Sequence, residues 1–161
     1  QNIFFAQLAD TTVKHFSANA TKTMTGGFLP MMFGLPAAAL AMYKTADFKN
    51  KKIIKGILVS AALTSFLTGI TEPIEFTFLF VAPPLYLIHA ILEGLSYMLM
   101  QMLDVAVGIT FSRGLIDFTF FGLLQGMGKT SYQWILILGP VYAVVYYYVF
   151  KFKNIKRIIR I

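Results

Sequence analysis

Apolar residues dominate the chain in long runs, broken by proline, glycine and a few charges rather than by polar surface. Residues 26–43 are apolar but carry Pro30, Gly34 and Pro36. The part from Phe28 to Pro36 predicts a broken element. The alanines and leucines from Ala37 predict an ordinary helix, whose small residues let a neighbour approach closely. Residues 57–81 form the longest run, interrupted at Gly69-Ile70-Thr71-Glu72-Pro73-Ile74-Glu75-Phe76. Pro83 and Pro84 then precede 85–103, and 134–150 is the last run. Both approach the roughly 20 apolar residues that a spanning helix needs. Residues 105–128 are punctuated by Gly108, Gly114, Gly122, Gly126 and Gly128, with Arg113 and Asp117 among them. Residues 3–20 mix Phe4, Phe5, Leu8, Val13 and Phe16 with Asp10, Lys14 and His15, which fits an interfacial or partly buried helix.

The interruption at 69–76 organises the rest. A charge near a bilayer centre costs about 2.5–3.5 kcal/mol even on the mildest scale, so Glu72 and Glu75 should face protein or a water-filled path. Gly69 can end one helix, and Pro73 suits the first position of the next. Pro73 also disfavours helical backbone at Glu72. Two half-helices meeting at a broken tip follow, and such backbone is tolerated at membrane depth only where it is buried in protein or lines a cavity.

Composition strengthens this picture. The chain of 161 residues is 57% hydrophobic and 13% charged, against about half and a quarter in soluble domains. An all-α polytopic membrane protein is expected, since a soluble domain carries far less apolar sequence. The net charge of +7 arises largely from two clusters beside apolar runs, Lys44 to Lys55 and Lys151 to Arg160. These mark cytoplasmic ends and not a nucleic-acid surface. An even number of crossings must then separate them. Two full spans, 85–103 and 134–150, with two re-entrant helical hairpins, 57–82 and about 105–128, satisfy that parity. Cysteine is absent, which excludes disulfides, thiolate metal sites and a cysteine nucleophile. The chain opens on Gln1 without a signal peptide and is expected to be a piece of a longer protein.

The string Gly69-Ile70-Thr71-Glu72-Pro73-Ile74-Glu75-Phe76 carries a resemblance, together with Phe33-Gly34-Leu35-Pro36, Phe80-Val81-Ala82-Pro83 and Ile88-His89-Ala90. The chain resembles the membrane subunit, enzyme IIC, of the glucose superfamily of bacterial phosphotransferase-system sugar transporters. Residues 114–126 look most like the maltose and α-glucoside branch. The resemblance implies a sugar permease that presents its substrate to a phosphorylated IIB partner. It places the protein in the bacterial plasma membrane, multi-pass, with a cytoplasmic C-terminal end, and implies a homodimer in the full-length form. Residues 1–161 look like the C-terminal, sugar-binding transport part, with no cofactor and no metal. Phosphoryl transfer would occur only together with IIB. An ion-coupled transporter using Glu72 and Asp117, or a truncated remnant that transports nothing, are the alternatives.

The resemblance makes Glu72 the sugar-contacting acid. A carboxylate offers about four acceptor lone pairs to sugar hydroxyls and could polarise the one to be phosphorylated. Glu75 could touch sugar or, with Glu72 as cap, sit at the third helical position and complement the dipole. Thr71 could do either job. Phe33 and Gly34 could lend backbone groups to the sugar or mark a simple kink. Asp117 could contact ligand, or pair with Arg113 or polar backbone. His89 and Glu93, spaced i,i+4, read as a satisfied intramembrane pair without further ligands for a metal. Tyr142, Tyr146, Tyr147 and Tyr148 read as an interfacial aromatic belt.

Overall fold

The computed structural model describes residues 2–46, 51–81 and 83–152. Lys49 and the basic residues from Lys153 onward, both part of the expected cytoplasmic clusters, lie outside the described residues. Among the described residues the protein is helical, without strands. Helices α1 (Asn2–Ala9) and α2 (Ala18–Thr21) lead into a continuous helical path from Thr25 to Thr45, whose last part is α3 (Leu35–Thr45). Helices α4 (Lys51–Thr68), α5 (Glu72–Val81) and α6 (Pro83–Met102) follow. An irregular stretch then reaches α7 (Leu115–Phe118), a π-helical turn (Thr119–Leu123), α8 (Met127–Thr130) and α9 (Gln133–Phe152).

The long helix over 25–45 differs from the expected broken element. Its Pro30 and Pro36 are absorbed by a π-helical turn, Pro30–Gly34, without a gap in the chain. Pro36 has no N–H to give back to the preceding turn. The Met31 carbonyl there instead accepts a hydrogen bond from the buried Ser65 hydroxyl of α4 at 2.6 Å. A side chain from a neighbouring helix therefore replaces the missing backbone donor, and the helical path stays unbroken.

Among the described residues, two helices are long and apolar enough to cross a membrane, Thr25–Thr45 and Gln133–Phe152. The second matches the expected span at 134–150. The other expected span, 85–103, does form a helix of 20 residues, but His89, Glu93 and Gln101 make α6 too polar to join that pair. Residues 3–20, expected as one helix, form two short ones separated by a turn. Phe4 and Phe16 are buried edge to face, centroids 5.3 Å apart, and hold this segment to Ala106 and Phe121.

The centre of the protein is the packing of α3 against α9 and α4. The Tyr146 ring lies against Gly34, and the Phe33 ring lies against Gly139, so each helix fills the notch left by a glycine on the other. The belt expected for the tyrosines is overturned by this packing. Tyr142 and Tyr146 point inward, buried, and only Tyr148 is exposed. Leu58, Ala61, Ile74, Phe78, Leu85 and Phe150 extend the same apolar core. The outer face of α4 leaves Ile53, Ile57, Val59 and Leu63 exposed, an apolar surface that suits lipid or protein better than water.

Candidate functional site

The chain breaks after α4 where the sequence predicts it. Gly69 closes that helix with its N–H on the Ser65 carbonyl at 2.9 Å and takes φ +76°, a conformation L side chains rarely adopt. Helix α5 then starts one residue earlier than expected. The Thr71 carbonyl accepts the N–H groups of Ile74 and Glu75, so Thr71 and not Glu72 caps the helix. Pro73 occupies the second helical position, where an N–H would have no carbonyl one turn earlier to meet, so its absence leaves nothing unpaired. Thr71 is buried, Glu72 is exposed and Glu75 is half-buried.

A second tip meets the first. Residues 105–109 form neither helix nor strand, and Thr25 holds them: its hydroxyl donates to the Val107 carbonyl at 3.0 Å and accepts the Val107 N–H at 3.2 Å. The chain then turns at 110–114 into α7. Asp117, in the first turn of α7, is buried and folds that turn around itself. Its Oδ2 accepts the amides of Thr110, Phe111 and Ser112 at 2.8, 2.9 and 3.0 Å, and its Oδ1 accepts the Thr110 hydroxyl at 3.0 Å. Backbone, and not Arg113, is therefore its partner. Arg113 turns away to the Thr23 carbonyl at 3.1 Å and to the Tyr97 ring.

The ordered second tip sits directly on the first. The Ser112 hydroxyl donates to the Gly69 carbonyl at 2.9 Å. A methyl group on Gly69 would stand 2.6 Å from the Arg113 amide nitrogen, and one on Gly114 would stand 2.5 Å from the Gly69 amide nitrogen. Two backbones touch at that separation only because both residues are glycine. Glu72 follows Gly69 by three residues, at the start of α5, and is exposed.

A polar cluster lies one turn further along α5. Nε2 of the buried His89 stands 3.5 Å from Glu75 Oε1 and 3.7 Å from Glu93 Oε2, while its Nδ1 is 2.9 Å from the Tyr146 hydroxyl. Carboxylates only accept, so Nε2 carries the hydrogen, and in the neutral ring Nδ1 accepts from Tyr146. The i,i+4 pairing of His89 with Glu93 is as the spacing predicts. Glu75 joins it from another helix, which spacing within α6 could not reveal. Among the described residues no group of three or more acidic, histidine or cysteine side chains is arranged to hold a metal ion.

The six residues singled out in the sequence thus fall in two places. Thr71, Glu72 and Asp117 belong to the joined tips. Phe33, Gly34 and Glu75 belong to the packing around Tyr146 and His89. Sequence reasoning left out Ser112, which fastens the tips, and read Tyr146 as part of an interfacial belt. The signal for Tyr146 was its i,i+4 relation to Tyr142, the inward stripe of α9.

Comparison with known proteins adds two findings. A family model described as "Phosphotransferase system, EIIC" matches residues 2–94. The chain is also 51% identical, over 156 residues and 97% of its length, to the PTS system glucose-specific EIICBA component of Staphylococcus carnosus (strain TM300). It spans 22% of that relative's length.

Proposed function

The chain belongs to the EIIC family of the phosphotransferase system, and from that membership we propose that it is the sugar-binding part of a permease that takes up a glucose-type sugar for phosphorylation. The observation that carries this reading is the exposed Glu72 at the head of a half-helix, beside a junction of two glycine tips. A neutral sugar is recognised through hydroxyl donors, and an ionised carboxylate on a fixed backbone is a strong acceptor for them. In this reading Glu72 accepts from the hydroxyl that is to be phosphorylated and raises its nucleophilicity. The new sugar O–P bond forms as the bond to a phosphorylated IIB carrier breaks. The chain has no cysteine and contributes binding and orientation, not the phosphoryl carrier.

The two breaks support re-entrant hairpins, one over α4 and α5 and one over the 105–128 segment, entering from opposite sides of the membrane. Residues 1–161 are then the transport part of a larger subunit in the bacterial plasma membrane, dimeric when complete, with the α9 end cytoplasmic. Thr71 and Glu75 support Glu72 from the same half-helix, and Phe33, Gly34 and Asp117 shape the site without supplying its main contact. The name of the S. carnosus relative assigns glucose to that protein, and we carry the same sugar to this one. Maltose and other α-glucosides, the branch indicated by residues 114–126, are separated from glucose by competition for uptake. The decisive variant is Glu72→Gln in the intact protein. It is expected to abolish glucose binding while melting as the parent does. Unchanged affinity would remove Glu72 from the site.

A further inference from the structure

Glu72 and Glu75 lie three residues apart on one short helix, so whatever fixes Glu75 also fixes the direction of Glu72. Helix α5 has only ten residues and ends in a break at its N-terminal side. A helix this short is not held by its own hydrogen bonds and takes its place from its neighbours. Its apolar anchors are Ile74 and Phe78, both fully buried. Its polar anchor is Glu75, which points at His89 of α6.

The surroundings of His89 are unusual for a packing residue. The ring is 3% exposed and is boxed by aromatic groups, with the Phe78 centroid at 5.7 Å and that of Tyr86 at 6.2 Å. Its two nitrogens are both directed. Nε2 faces one carboxylate from α5 and one from α6, and Nδ1 faces the hydroxyl of Tyr146 on α9. Tyr146 in turn rests on Gly34 of the long helix. Take the imidazole away and two like charges face each other across a half-buried gap, where their repulsion is poorly screened. The tyrosine hydroxyl would also lose its partner.

We propose that His89 is a positioning residue for sugar binding: it clamps the Glu75 carboxylate between α5 and α6, and Tyr146 orients the clamp, so that Glu72 is held where a sugar hydroxyl can reach it. His89 touches no substrate in this scheme. It acts through the angle of α5 alone.

Two measurements on the intact protein test this, and only the second rests on the proposed sugar function. In the first, spin labels at the exposed positions Phe76 on α5 and Leu95 on α6 report the separation of the two helices. The parent is expected to give one narrow distance. His89→Phe keeps the aromatic volume but removes both nitrogens, and it should broaden and lengthen that distance. His89→Gln keeps one donor and one acceptor and should restore it. In the second, glucose phosphorylation is followed with a phosphorylated IIB partner. His89→Phe should raise KM about tenfold with kcat within about threefold, in line with the sensitivity of reaction rates to small misplacements. His89→Gln should return KM to within about threefold of the parent. Tyr146→Phe, which leaves the ring on Gly34 in place, should raise KM in the same direction, and combined with Glu75→Gln should add little to the single change. This variant carries the test should His89→Phe fail to fold. An unchanged label distance in His89→Phe, or in Tyr146→Phe in its place, overturns the proposal. So does a loss of activity that His89→Gln shares in full and that follows only the amount of folded protein. A parent protein that does not act on glucose would sink the functional reading and leave the label distances to decide the clamp.

Discussion

Replacing Asp117 separates a fold-holding acid from a ligand-binding one. Its carboxylate accepts three backbone amides and one hydroxyl, and the side chain is only 3% exposed. Hydrogen bonds to an ionised group contribute about 1.5–3 kcal/mol each, and neutral ones about 0.5–1.5. Asp117→Asn keeps one oxygen for the three amides and turns an NH2 toward the Thr110 hydroxyl, which can accept it. The loss is mostly of charge, about 1 kcal/mol per amide, or about 2–3 kcal/mol in all. Asp117→Ala leaves the amides without a protein partner. Thr110 and Phe111 are exposed, so water recovers part of the loss, and about 3–5 kcal/mol is expected. Thermal melting in detergent should rank parent above Asn above Ala. Glucose affinity of the folded Asn variant should stay within about threefold of the parent. An Asn variant that melts like the parent but binds glucose a hundredfold more weakly would refute the reasoning and make Asp117 a ligand contact.

Other perturbations have equally definite outcomes. Gly114→Ala puts a methyl group against the Gly69 backbone, where no flexible side chain can yield, and should lower stability by about 1–3 kcal/mol in a melt. Because Gly114 has an ordinary negative φ of −101°, the whole effect is steric, and Gly114→Ser should be no milder. Ser65→Ala strands the Met31 carbonyl beneath Pro36 and should destabilise by about 1–3 kcal/mol. Ser60, on the exposed face of the same helix, is the control, and its alanine variant should melt within about 0.5 kcal/mol of the parent.

What could be read in advance follows the range of each interaction. The break at Gly69 was legible because glycine and proline act on their own backbone. Its position was off by one residue, since the sequence does not say whether Thr71 or Glu72 caps α5. The helix over 25–45 misled in the opposite sense. Two prolines and a glycine predict a gap, but a serine 34 positions after Met31 supplies the missing donor. The tyrosines of α9 looked interfacial because their number fits a belt, yet His89 and Leu92 of another helix receive the hydroxyls of Tyr146 and Tyr142. Glu75 with His89, and Ser112 with Gly69, likewise join segments far apart in sequence. The misreadings at 25–45 and in α9 share one origin: a polar group whose partner lies on a different element.

The seam between Gly69 and Gly114 also constrains how the protein can move. Swinging either loop by itself would break the bond from Ser112 and tear apart two main chains in van der Waals contact. Carrying both along together leaves that seam intact, so displacement of the pair as a rigid unit is the cheaper route. A transported molecule seated at Glu72 would then ride with its binding site, and no door would need to open between the loops.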